Sequence, residues 1–209
     1  MKQFLKDAKG HLMTGIGYML PLIIGASLVV AIPKLIALCF GITSLDPYAD
    51  GTGIWHIMKL IENVGWTGIG MVNTVLAGFI AYSIADKPAI GAGLIGGAVA
   101  SSTYAGFLGA VIAAFIAGYS VKWAKKHIKL PESMNSVMPL VVCPLIATGL
   151  VAVIMGVILA TPLAAINTWL VKWISSMCQN QSSQLVMALI LGAMIASDTV
   201  SYTHLRAHE

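Results

Sequence analysis

The residues that could do chemistry in this sequence are few, and they are scattered among apolar runs. His11 stands just before a long apolar run and is followed by Thr14. Asn73 and Thr74 fall near the middle of a second run, and Asp86-Lys87-Pro88 closes it. Asn167 precedes Trp169 and Trp173, and Asp198 abuts the last apolar run. There is no P-loop, no nucleophile elbow and no paired His and Glu at helical spacing. Cys39, Cys143 and Cys178 are too widely spaced for a metal site and suit the role of small buried hydrophobes. What these residues offer is hydrogen bonding and charge at membrane depth, where polar groups are costly. Each also has a plainer role open to it. His11 could be a hydrated interfacial histidine, and Asn73 and Thr74 could bond a neighbouring helix. Asp86-Lys87-Pro88 could be a solvated helix end with its proline in the first turn of the next helix. Asn167 could bond a ligand's hydroxyls or sit at an interface, and Asp198 is either a span-ending charge or a binding carboxylate.

The elements that must position these groups follow from composition. The chain has 209 residues, is 58% hydrophobic and only 10% charged, and its mean hydropathy is +0.87. Soluble domains carry about 25% charge. The apolar runs are continuous rather than alternating, so the expected class is all-α, a polytopic helical membrane protein. About six transmembrane or re-entrant helices are expected, with short amphipathic helices at the interface. The net charge of +4 does not imply nucleic acid, because no basic run is interleaved with aromatics. With the N-terminus inside, the inner segments hold Lys2, Lys6, Lys9, Lys87, Lys122, Lys125, Lys126 and Lys129, against Lys59 and Lys172 outside. That is a positive-inside bias.

In chain order, residues 1–11 suit a short amphipathic surface helix, and residues 12–41 a span kinked or interrupted at Pro21 and Pro33. Residues 42–63 are polar and irregular, ending in an amphipathic piece, and residues 65–85 form the second span. Residues 86–126 read as a tightly packed hairpin. Ala89, Gly93, Gly97 and Ser101 fall four apart, as do Gly106, Ala110, Ala114 and Gly118. Two such small-residue faces joined by a Ser-Ser-Thr-Tyr turn let helix backbones approach closely. The two arms, about 16 to 17 residues each, reach roughly 25 Å and fall short of a 30 Å hydrocarbon core. They are short spans or a re-entrant pair. A basic loop follows at 122–136. Then come a span at 137–161 that ends at Pro162, an amphipathic piece at 162–176, and the start of another span at 185–197.

Four blocks carry a resemblance. HLMTGIGYMLPLIIGASLVVAI (residues 11–32) resembles the opening of the membrane domain, enzyme IIC, of fructose-type sugar phosphotransferase systems. DKPAIGAGLIGG (86–97) with AGFLGAVIAAFIAGY (105–119), MPLVVCPLIATGLVAVIMGVILATPLAAI (138–166) and LGAMIASD (191–198) are similar to later blocks, in order. The resemblance implies a permease that moves sugar inward for phosphorylation by a IIB partner, with IIA, HPr and enzyme I upstream. It also implies a homodimer when full length, in the bacterial inner membrane with the N-terminus cytoplasmic. No cofactor, metal or phosphorylated residue is expected on this chain. His11, Lys87 and Asp198 are the positions that the matched blocks place near the sugar path. The rival reading is a membrane scaffold whose small-residue faces serve only packing; an integral-membrane enzyme acting on lipid is a third. Neither accounts for four ordered blocks.

The end of the chain departs from the pattern. LGAMIASD looks like the start of a block that continues Met-Gly-Gly-Pro-x-Asn-Lys in the family, but here TVSYTHLRAHE follows. Residues 1–198 are thus expected to be the N-terminal part of a IIC domain. Residues 199–209 are expected to be a non-family tail of read-through origin, and the chain alone is expected to be inactive.

Overall fold

The computed structural model describes residues 2–128 and 138–179. They are mostly helical, with no strand among the described residues. The chain divides into two compact units, residues 1–164 and 165–209. The first contains α1 (Lys2–Cys39), a 3₁₀ turn (Asp46–Tyr48), α2 (Ile54–Gly70), α3 (Val72–Ala85), α4 (Lys87–Ser102), α5 (Gly106–His127) and α6 (Cys143–Val153). π-helical turns precede α6 (Met138–Val142) and follow it (Ile154–Leu159), and α7 (Ala160–Gln179) comes next. In the second unit, the α7 side chains Trp169 and Trp173 are both exposed. Four helical stretches among the described residues are long and apolar enough to cross a membrane: Lys6–Cys39, Ile54–Ala85, Gly106–His127 and Cys143–Ser176.

Several boundaries differ from the sequence expectation. The polar residues 2–11 do not form a separate surface helix; they begin α1, which runs unbroken through Pro21 and Pro33. Prolines persist in membrane helices because neighbouring helices and local adjustment re-satisfy the freed carbonyls. α2 begins at Ile54, well before the expected span, and is joined to α3 through the single residue Met71. The serines of the expected turn belong to α4, and the turn proper is at residues 103–105. α5 continues through the lysines to 22 residues, whereas α4 stops at 16. Pro162 does not end a helix; it lies inside the continuous helical stretch Cys143–Ser176, where a proline is tolerated as Pro21 and Pro33 are in α1.

The core is a triad of α3, α4 and α5 made almost wholly of small residues. Ala77, Ala81, Ala89, Ala92, Ala100, Ala110, Ala113, Ala114 and Ala117 are fully buried. The stripe on α4 packs against α3, not against the matching stripe on α5. A Cβ placed on Gly93 would lie 2.7 Å from the Ala77 carbonyl oxygen, and one on Gly97 would lie 2.5 Å from that of Asn73. Backbone meets backbone there, as small-residue faces permit. α4 meets α5 one position over, with Gly96 against Ala113, while Gly118 of α5 packs on Ile84 of α3. Both α4 and α5 therefore bury small residues on α3, a pairing that spacing alone does not assign.

α1 lies antiparallel to α2 and α3. Tyr18 stacks on Phe79 at 4.1 Å between ring centroids, and Gly65 and Gly68 of α2 pack on Ala26 and Val30. Of α2 and α3 the α4–α5 hairpin covers only α3, and it also packs on α6, where Gly96 meets Val151. Its distal end sits beside the α2–α3 joint, where Asn73 Nδ2 donates to Ser101 Oγ at 3.3 Å. α1 and α2 continue past that point as an apolar pair, with Leu28, Ile32 and Leu35 exposed on one helix and Ile57, Leu60 and Val64 on the other.

Two predictions follow from this packing. Gly97→Leu is expected to force α3 and α4 apart and abolish cooperative thermal unfolding in detergent. Gly91→Ala, with no atom within 4 Å of the new methyl, should hold or raise stability by up to about 1 kcal/mol. Equal melting of the two variants would contradict the close contact. Because the hairpin turn stops beside Asn73, a cysteine at Ser102 is expected to resist a membrane-impermeant reagent applied outside intact cells, whereas one at Thr43 reacts. Labelling of both would show that the hairpin crosses the membrane.

Candidate functional site

Two polar clusters stand at opposite ends of the first unit. Between them α1 runs 23 residues, from His11 to Lys34. At 1.5 Å per residue that is about 35 Å, close to the hydrocarbon thickness of a bilayer plus its margin.

The first cluster gathers where α1 begins, α3 ends, α4 begins and α5 ends. His11 is half-buried, and its Nδ1 lies 2.7 Å from Ser83 Oγ, a hydrogen bond joining residues 72 apart in sequence. The next turn of α3 ends at Asp86, whose backbone has φ 64° and ψ −161°. That region is nearly reserved for glycine, so this corner is strained. The chain reverses there and starts α4 at Lys87, with Pro88 in the first turn, where the missing donor costs nothing. Lys125 of α5 reaches across and donates through Nζ to the Ala85 carbonyl at 2.8 Å. It thus satisfies a last-turn carbonyl of α3 and places a positive charge at that helix's negative end.

This corner borders an open cavity of about 630 Å³, lined by Tyr82, Asp86, Lys87, Pro88 and Gly91 on one side and by Pro139 and Pro144 on the other. Asp86 and Lys87 are exposed beside it. A carboxylate, an ammonium and a phenol around proline and glycine surfaces give donors and acceptors for a polyhydroxylated ligand, with apolar walls for its ring faces. Among the described residues no group of His, Cys, Asp or Glu could hold a metal ion.

Of the sequence-predicted site residues, the structure brings His11 and Lys87 to the same end; Asp198 lies outside the described residues, as does the tail after it. Ser83, Tyr82 and Lys125 were missed. Nothing local marks them, since each gains its role from a partner on another helix.

The second cluster was missed except for its lysines. Glu62 is almost fully buried and accepts from Lys34 at 3.2 Å, Lys59 at 3.2 Å and Trp66 Nε1 at 3.0 Å. Lys59 also reaches Asp46 at 2.6 Å, and Ser44 Oγ donates to the other Asp46 oxygen at 2.9 Å. The Lys34 ammonium lies 5.2 Å from the Trp66 ring centroid. A buried carboxylate between apolar helices is tolerated only when paired in this way. The cluster ties the loop at 42–53 to the far ends of α1 and α2. The only sequence signal for it is the i, i+3 spacing of Lys59 and Glu62.

The family described as "Phosphotransferase system, EIIC" matches residues 13–197. The chain is 37% identical over 189 residues to the "PTS system fructose-specific EIIABC component" of Bacillus subtilis (strain 168), covering 90% of this chain and 29% of that protein. It is 34% identical over 197 residues to the "Fructose-like permease IIC component 2" of Escherichia coli (strain K12), covering 94% of this chain and 52% of that protein. It is also 34% identical over 198 residues to the "PTS system 2-O-alpha-mannosyl-D-glycerate-specific EIIABC component" of the same organism, covering 95% and 29%. The chain therefore spans about half, or less, of the length of these relatives. No solved structure gives a significant match.

Both clusters yield a test. Lys125→Met leaves the Ala85 carbonyl without its donor and is expected to cost about 1 kcal/mol in detergent unfolding, whereas Lys126→Met costs nothing measurable. Equal losses would place the effect elsewhere. At the other end, hydrogen bonds from Lys59 and then Ser44, with the Lys59 charge, hold the Asp46 carboxyl below the usual carboxylate range. A depressed folded pKa contributes stability above the unfolded value, about 3.9, and loses it as pH falls through the lower folded value. Hydrogen exchange in residues 42–53, corrected for its intrinsic pH dependence, should be flat from pH 7 to 5 and rise below about 4. In Asp46→Asn it should already be raised at pH 7. A flat profile in both proteins would contradict the clasp.

Proposed function

This chain belongs to the phosphotransferase system EIIC family, and on that premise we propose that it is the N-terminal part of a permease that moves a fructose-class sugar inward for phosphorylation by a IIB partner. The observation that carries this reading is the 34–37% identity, across nine-tenths of the chain or more, to relatives named for fructose or fructose-like sugars. The mannosylglycerate-specific relative keeps a second sugar in contention. Names that join A, B and C designations in one component support a partnership with IIA and IIB functions.

The geometry supports a division of labour within the chain. The α3–α5 triad is a fixed body, held by backbone contact rather than by side chains that could shift. The cavity beside Asp86 and Lys87 is the sugar's inner station, and His11, fixed by Ser83, stands at the same end. The ammonium of Lys87 would donate to sugar hydroxyls and the Asp86 carboxylate would accept from them. Lys87, Lys122, Lys125 and Lys126 share this end, and it is the cytoplasmic face in this reading, with the N-terminus inside. Cys143 is buried as expected, Cys39 is exposed at the far end of α1 rather than buried, and in this reading neither takes part in phosphate transfer. The exposed apolar faces of α1 and α2 are the surface for a second copy in a homodimer, and Asp198 completes the sugar path from beyond the described residues.

The test is phosphoenolpyruvate-dependent sugar uptake in cells expressing the full-length gene with its IIA and IIB partners, comparing fructose, mannose and mannosylglycerate. Uptake of fructose above the other two is the expected result. Lys87→Met and His11→Ala are each expected to lower it by about tenfold or more, the scale of losing one or two hydrogen bonds to the sugar. Uptake of none of the three sugars would overturn the assignment. Unchanged uptake in both variants would remove these residues from the sugar path and leave the family intact.

A further inference from the structure

α5 carries an aromatic ladder that the sugar path does not use. Phe115, Tyr119, Trp123 and His127 fall four apart, which places them on one face. Phe115 stacks on Tyr119 at 6.2 Å, and Trp123 on His127 at 5.0 Å. This face borders an open, largely apolar groove of about 520 Å³, lined by Phe115, Ile116, Tyr119, Ser120 and Trp123 of α5, with Ala8 of α1 and Leu150 of α6. Trp123 remains 54% exposed at its mouth.

The groove ends in positive charge. Lys126 lies seven residues after Tyr119 and eleven after Phe115, offsets that return to the same helix face. Lys122 lies seven after Phe115. Both are exposed, and among the described residues neither makes an ion pair or hydrogen bond. Lys125, by contrast, points away to the Ala85 carbonyl. Lys9 follows the lining residue Ala8, with Asp7 the one acid beside it. The C-terminal part of α5 therefore carries two exposed ammonium groups, Lys122 beside Trp123 and Lys126 in the last turn, on the face that lines the apolar slot.

We propose that this groove is a binding site for an anionic phospholipid of the inner leaflet, with one acyl chain along Phe115, Ile116 and Leu150 and the phosphate at Lys126 and Lys122. The slot lies along α5 and α6, in stretches apolar enough to cross a membrane, so a water-soluble partner cannot fill it. Lysines with no partner among the described residues, at one end of an apolar slot, favour an anionic headgroup over a zwitterionic one. Tryptophan at the mouth suits the headgroup boundary, where its ring is half wetted. The choice of leaflet rests on the orientation proposed above, whereas the groove itself requires only the chain's residence in a membrane, so its test is independent of sugar transport.

The experiment uses the protein in phosphatidylcholine vesicles that contain a minor fraction of brominated lipid, either phosphatidylglycerol or phosphatidylcholine. The readout is the tryptophan quenching lost in Trp123→Phe. Brominated phosphatidylglycerol is expected to quench Trp123 at a mole fraction on the order of tenfold lower, given two lysines near the surface. The double variant Lys122→Gln/Lys126→Gln should bring the two lipids level. Equal quenching by both lipids in the unaltered protein overturns the proposal, and so does a preference that survives the double variant. Absence of quenching by either overturns it too, since the groove would then be covered by protein. Should a variant fail to insert, native mass spectrometry of the unaltered protein decides instead: retention of phosphatidylglycerol over phosphatidylcholine supports the site, and equal retention rejects it.

Discussion

Everything in the first unit depends on the contact of the α3 and α4 backbones at Gly93 and Gly97. No Cβ fits at either position, so the helices touch through carbonyl oxygens and Cα atoms. In a bilayer there is no hydrophobic force between apolar helices, and association rests on close packing and the few hydrogen bonds that packing allows. Removing side chains from the seam is how two short helices, 14 and 16 residues long, gain enough contact to hold together. α5 then closes the triad with alanines and Gly118. The result is a core with little side-chain freedom to lose and little ability to repack. Such a body suits carrying a site at its edge better than moving as part of one.

The two charged clusters mark where that body meets water. Each is built on a different economy. At one end Glu62 is buried, and breaking one of its partners would strand a charge. A cavity of about 220 Å³ adjoins it, but the charges on its wall are already paired with one another, which argues for a clasp. At the other end Asp86 and Lys87 stay exposed beside an open cavity, while the neighbouring Lys125 is spent on a helix terminus. Charges left available next to space are the ones that can serve a ligand. That contrast, rather than the mere presence of polar groups at the membrane boundary, separates the candidate site from the structural cluster.

How much of this was legible in the sequence varies by element. The class was plain, because continuous apolar runs with little charge admit few other solutions. The α4 stripe was legible as a close-packing face, but its partner was not. Four-residue spacing says which side of a helix is small; it does not say which neighbour uses that side, and the matching stripe on α5 suggested the wrong one. Pro21 and Pro33 argued for a kinked or interrupted helix, and α1 is not interrupted, because a proline rule drawn from local donors omits the neighbours that compensate. His11 and Lys87 were singled out through matched blocks rather than through physics, and the structure brings them to the same end of the unit. The bond from His11 to Ser83 and that from Lys125 to Ala85 span 72 and 40 residues, and no local pattern encodes them.

The strained corner at Asp86 connects these threads. The described residues take positive φ at Gly41, Gly53 and Gly106, where glycine adopts it freely, and at Tyr104 and Asp86, where it does not come freely. For Asp86, ψ near −161° puts the backbone in the region least open to side chains, at a cost of order 1–3 kcal/mol. Glycine would relieve that cost, and a chain with 21 glycines has no compositional bar to using one. What the aspartate adds is a carboxylate at the positive end of α4, beside Lys87 and facing the cavity. The strain is held by the elements on either side: the α3–α4 seam fixes both arms of the corner, and Lys125 pins its last carbonyl. A rigid, side-chain-poor core is thus what allows this chain to keep a charged residue where its backbone would favour none, and the direction of inference runs from that outlier to the site beside it.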